Sequence, residues 1–125
     1  MLTLVPQKDD GLYIPDIGAW SEDKLRVLWY YCQLFSRSMK GKWGGIYYID
    51  LFCGPGLGRL TGSSRIVKGS PLLALETEAP FDVHVFCDND PQCIAALRQR
   101  VMTGHPAANV SFILGDSNER IDDIV

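Results

Sequence analysis

The sequence predicts an α/β fold, the first half of a doubly wound parallel sheet, and three observations carry that expectation. Short apolar runs at 46–52, 83–87 and 110–114 alternate with stretches of helical periodicity, the pattern of βαβ units. A loop with glycine at every second position, Gly54, Gly56 and Gly58, follows the first run directly. Each run ends at or near an aspartate: Asp50, Asp88 and Asp116.

The composition sets the class. A chain of 125 residues with 46% hydrophobic and 22% charged residues is expected to form one ordinary soluble domain. A net charge of −3 does not give the basic footprint of a nucleic-acid binder. Cys32, Cys53, Cys87 and Cys93 form no CxxC pair and meet no histidine at metal-ligand spacing, so they read as reduced thiols of a cytoplasmic protein. No secretory leader and no long apolar run is present, so neither export nor membrane insertion is expected.

Taken in order, residues 1–19 hold Pro6, Gly11, Pro15 and Gly18 and read as an irregular arm. Ser21 is a candidate cap for a first helix. Glu22 and Asp23 suit its positive end, Leu25, Leu28, Trp29, Cys32 and Phe35 repeat at its period, and Lys40 and Gly41 close it. Trp29, Tyr30, Tyr31 and Phe35 are expected to pack into the core against the sheet, with a binding role as the alternative. Lys42, Trp43, Gly44 and Gly45 lead into the first strand. After the glycine loop, 57–69 reads as an exposed polar loop, with contact between Arg59, Arg65 or Lys68 and an acidic substrate as the alternative.

Ser70-Pro71 marks a second helix, serine capping and proline in the first turn, with Leu72, Leu73 and Leu75 toward the sheet and Pro80 as the stop. The strand at 83–87 leads to Asp88-Asn89-Asp90-Pro91, where Asp90 and Pro91 repeat the cap-then-proline start. Ile94, Leu97 and Val101 mark the buried face of that helix, and Gly104 and Pro106 end it. The third strand runs into Gly115-Asp116-Ser117-Asn118, and Ile121, Ile124 and Val125 begin a last helical pattern.

In a parallel sheet the three strand ends open on one edge, so Asp50, Asp88 and Asp116 can line one crevice. An acid after the second strand suits the two hydroxyls of a ribose, and one after the third suits an exocyclic amine such as that of adenine. Against this, an aspartate at a strand end also caps helices and forms turns. Asp90 weakens that alternative for Asp88, whereas Ser117 and Asn118 strengthen it for Asp116. A dinucleotide is disfavoured, because Arg59 stands where the last fingerprint glycine would be and no helix starts before Ser70. S-adenosylmethionine has no phosphate, and its cationic amino-acid end would favour Asp50.

Together, 48–56 with its Asp-Leu-Phe-Cys-Gly-Pro-Gly run, 69–75, Asp88-Asn89-Asp90, and Gly115-Asp116-Ser117-Asn118 followed by Ile121 resemble the three-Cys-motif partner protein family. That family is in turn similar to class I S-adenosylmethionine-dependent methyltransferases. The resemblance implies a Rossmann-like fold over 20–125, with S-adenosylmethionine as cofactor. It implies Asp50, Gly54, Pro55 and Gly56 in the cofactor loop, Asp88 and Asn89 at the ribose, and Asp116 and Ser117 near the adenine. It also implies a separate partner protein bearing the three cysteines, which are not the four found here. The loop resembles that of DNA cytosine methyltransferases as well, which makes Cys53 a loop residue and not a nucleophile.

A sheet of this class has seven strands, with its catalytic residues at or after the fourth. The sequence reads as stopping before that strand, so it offers no catalytic residue, and the alternative function is a non-catalytic module that works by binding a partner. In the usual order of such sheets the first strand is central, so here it is expected to form an apolar edge open to association.

Overall fold

A computed structural model describes residues 4–42 and 44–124. Trp43, the first three residues of the arm and Val125, the last of the helical pattern, lie outside the described residues. The elements in order are β1 (Asp16–Ile17), α1 (Ser21–Met39), β2 (Tyr47–Asp50), β3 (Leu57–Leu60), β4 (Ile66–Lys68), α2 (Ser70–Leu75), β5 (Val83–Asp88), α3 (Pro91–Gly104), β6 (Val110–Leu114) and α4 (Ile121–Ile124).

β2, β5 and β6 are the three apolar runs, and they form a sheet in the order β2-β5-β6 with both pairs parallel. This is a small α/β domain with a parallel sheet, compatible with a Rossmann-like arrangement. The first run is shorter than expected. Asp50 Oδ1 accepts a hydrogen bond from the Phe52 N–H at 3.2 Å, a local turn that ends β2 and leaves Leu51 and Phe52 outside the sheet.

A second sheet, β1-β3-β4, corrects two expectations. The segment 57–69 is not a solvated loop: β3 and β4 form an antiparallel hairpin that buries Leu57, Leu60, Ile66 and Val67. Its turn uses Gly62 at φ +88° and Ser64 at φ +59°, backbone states that a two-strand reversal needs. The three cations are held within this chain, Arg59 by Asp9, Arg65 by Glu22 and Lys68 by Glu76. The arm is only partly irregular, since β1 pairs in parallel with β3, Gln7 bridges to Ile66, and Leu4 is buried with Leu60, Val67 and Leu73.

Capping differs from expectation at two helices. Trp20 stands at the cap of α1 without a side-chain bond, and Ser21 is already helical. Gly69 stands at the cap of α2, which frees the Ser70 hydroxyl for a distant partner. α3 does start as expected, with Asp90 accepting from the Gln92 N–H at 2.9 Å. On α1 the aromatic expectation divides: Trp29 and Phe35 pack against the core, while Tyr30 and Tyr31 are exposed.

The main core lies on one face of the parallel sheet. Phe86, with Tyr48 and Phe112 beside it, packs on Leu72 and Leu75 of α2 and Ile94, Leu97 and Val101 of α3. On the other face Val85, Cys87 and Ile113 are covered by Ile124 of α4. Tyr47 and Ile49 project to that same face from β2, and both are exposed.

Candidate functional site

The carboxyl ends of the parallel strands gather the candidate residues at one edge in a staggered row. Asp50 is level with Phe86 in β5, so Asp88 stands two residues further along, and Asp116 lies two residues beyond Leu114, the partner of Asp88.

Asp50 turns inward. Its Oδ2 accepts from the Ser70 hydroxyl at 2.5 Å and from the Tyr48 hydroxyl at 3.4 Å, and Oδ1 takes the Phe52 N–H. Burial raises its pKa above the ordinary 3.8, with Ser70, Phe52 and Tyr48 pulling it back and the Asp88 charge pushing it further up. A half-buried anion held by hydroxyls and not by a cation lacks a counter-charge, so this end of the edge favours a cationic ligand.

Asp88 joins the strand end to the glycine loop. Its Oδ2 accepts from the Gly54 N–H at 3.0 Å and Oδ1 from the Asp90 N–H at 2.9 Å. A carboxylate offers about four acceptor positions, so two such bonds leave room for a ligand hydroxyl on each oxygen.

The loop glycines have different reasons. Gly54 has φ +64° and open space where a Cβ would stand, so a ligand can approach its backbone. Gly56 has φ +98°, a state that other residues rarely adopt, and a Cβ there would also meet Leu97 at 3.1 Å and Leu72 at 3.2 Å, so its backbone and its packing on α2 and α3 both call for glycine. Pro55 is buried, its carbonyl accepting from Arg100 at 2.7 Å. Beside the loop lies a cavity of about 260 Å³, walled by Cys53 to Gly58, Gly69, Pro15 and Ile17 of the arm, and Ser21, Lys24 and Leu25 of α1.

Asn89, Asp116 and Ser117 meet in a separate recess of about 110 Å³ closed by Leu51 and Phe52. Asp116 is exposed and its Oδ1 accepts from the Asn118 N–H at 2.8 Å, so the turn-forming role is present there alongside any ligand role. The edge therefore holds two groups: Asp50, Gly54 and Asp88 connected through the loop, and Asn89, Asp116 and Ser117 around the recess.

Cys53 sits under the loop with its N–H donating to the Cys87 carbonyl at 3.0 Å. Burial, then the charges of Asp50 and Asp88, push its thiol pKa well up, which opposes thiolate formation and so nucleophilic use. All four cysteines are free and buried, and no group of His, Cys, Asp and Glu among the described residues could hold a metal ion. No described helix is long and apolar enough to cross a membrane.

Sequence reasoning missed Ser70, Tyr48 and Arg100. The sequence reads Ser70 as a helix cap, but Gly69 takes that place, and the Ser70 hydroxyl bonds to Asp50, twenty residues earlier. Comparison of the chain with family models, curated proteins and solved structures finds no match.

Proposed function

We propose that this chain is the S-adenosylmethionine-binding part of a methyltransferase-like protein of the three-Cys-motif partner kind, with a Rossmann-like methyltransferase fold. One observation carries the reading: the glycine loop is tied to Asp88 through Gly54, beside a half-buried Asp50 without a cationic partner, and it runs on into strand β3 instead of a helix. A pyrophosphate would want a helix N-terminus directly after the loop. A nucleoside with a cationic end instead suits a ribose-binding acid, a backbone open at Gly54 and an acid near the charge.

S-adenosylmethionine supplies an electrophilic methyl group on a sulfonium. In this reading Asp88 holds the ribose hydroxyls, with Asn89 beside them, Asp50 sits nearest the ammonium end, and Asp116 and Ser117 receive the adenine in their recess. Methyl transfer would be an in-line displacement to which these residues contribute binding and orientation.

The test is calorimetric titration with S-adenosylmethionine and its demethylated product. The parent chain is expected to bind both, and Asp88→Ala to bind at least tenfold more weakly, since it loses charge-assisted hydrogen bonds of about 1.5–3 kcal/mol each. Asp88→Ala also strips an acceptor from the Gly54 and Asp90 N–H groups, so its melting temperature falls too. Asp88→Asn, which keeps one acceptor oxygen, separates the two effects by restoring stability more than affinity.

The exposed Tyr47 and Ile49 on the open side of β2 favour a second reading, a non-catalytic module that docks a partner protein there. Failure of the parent chain to bind either nucleoside supports that reading over the first.

A further inference from the structure

We propose that Arg100 is a positioning residue for the glycine loop, acting by strapping residues 10–17 of the arm across it. The proposal rests on the cofactor-site reading above.

Arg100 lies on α3 with its side chain 5% exposed. Its Nε and Nη2 donate to the two carboxylate oxygens of Asp10, each at 2.8 Å, and Nη1 donates to the carbonyls of Tyr13 at 3.0 Å and Pro55 at 2.7 Å. One planar guanidinium thus binds the arm on one side and the loop on the other, a division that a lysine's single ammonium cannot reproduce. From Tyr13 the arm continues over the hairpin. The Arg59 N–H donates to the Pro15 carbonyl and the Thr61 N–H to the Ile17 carbonyl, both at 2.9 Å. Gly58 makes that approach feasible, because a Cβ there would stand 2.6 Å from the Ile17 side chain. Pro15 and Ile17 thus line the same cavity as the loop itself.

Three successive loop residues are each fixed by a different part of the chain. The Gly54 N–H is held by Asp88, the Pro55 carbonyl by Arg100, and the Gly56 carbonyl by the Gly69 N–H at 2.7 Å. Arg100 is the member of this set that also carries the arm, so its removal frees the loop and the cavity wall together. A loop fixed before the ligand arrives spares the ligand the cost of ordering it.

The experiment measures amide hydrogen exchange at Cys53, Gly54, Gly56, Leu57 and Gly58, and titration with S-adenosylmethionine, in the parent chain, Arg100→Lys and Asp10→Asn. Ile113→Val, a core change beneath α4, is the control for general loss of stability. Arg100→Lys is expected to speed loop exchange at least tenfold beyond any change in the control and to weaken binding about tenfold. Asp10→Asn, which keeps the bond to Pro55, is expected to move both in the same direction by less, and it carries the test if Arg100→Lys does not fold. Unchanged loop exchange in the variants overturns the proposal, and so does faster exchange with undiminished affinity, which would make the strap structural only. A parent chain that binds no nucleoside while its variants still lose loop protection rejects the cofactor reading and keeps Arg100 as the residue that positions the loop.

Discussion

The two faces of the parallel sheet have been treated differently. Behind β5, Phe86 is fully enclosed by Leu72, Leu97 and their neighbours on α2 and α3. Across the sheet, α4 covers Val85, Cys87 and Ile113, but Tyr47 is 62% and Ile49 42% exposed. Both faces carry strand-forming apolar residues at the same spacing. What separates them is whether a helix arrives to exclude water, which decides whether an apolar side chain contributes stability or offers a surface.

The contrast is broken most severely from the enclosed side. Phe86→Ala is expected to cost about 3–5 kcal/mol, whereas Tyr47→Ala on the open side is expected to stay within about 0.5 kcal/mol, both from urea unfolding. A comparable loss at the two positions would mean that Tyr47 is covered in solution.

An intermediate effect comes from His84, which is 2% exposed on the enclosed face among Tyr48, Phe81 and Phe86. Neither ring nitrogen has a hydrogen bond of ordinary geometry, and burial lowers the pKa below 6.5 against a smaller upward pull from the backbone of Ala74 and Asn109. The unfolded chain therefore takes up a proton first. Stability that is complete above pH 6.5 is lost as pH falls from there through the folded pKa, by at most about 1.4 kcal/mol per pH unit. Asp10, held low chiefly by Arg100, adds its own loss only below its ordinary 3.8. In melting curves, His84→Phe is expected to flatten the upper of these two windows and leave the lower one.

The smallest effect on folding, and the sharpest on behaviour, belongs to the open face. With β2 at the edge of its sheet, Ile49→Lys is expected to change stability by less than about 0.5 kcal/mol while reducing concentration-dependent association in sedimentation velocity. A parent chain that sediments as a monomer at all concentrations would remove the edge as an association site.

How much of this could be read beforehand depended on whether a residue's partner was near in sequence. β5, β6 and α3 were legible because each is an apolar pattern bounded by proline, glycine or a capping aspartate. The β3–β4 hairpin was not, since Leu57, Leu60, Ile66 and Val67 are interleaved with three cations whose carboxylate partners lie elsewhere, Glu22 on α1 among them. In the candidate site, Asp50, Gly54 and Asp88 announced themselves by following strands. The Ser70 hydroxyl did not, because its acceptor lies twenty residues earlier. Arg100 was the hardest, for a cation in a helix normally marks the wet face, and only the folded arm explains its burial.

The four thiols extend this account into time. Cys32 on α1, Cys53 under the glycine loop, Cys87 inside β5 and Cys93 on α3 are all buried, and burial pushes Cys32 up to about 11 and Cys93 to about 12. A thiol both protonated and shielded reacts with an alkylating reagent only while its surroundings are open, so its labelling rate counts openings of that one place. The chain thereby carries its own set of clocks, one for the helix over β2, one for the loop, one for the sheet and one for α3, without a single residue having to be introduced.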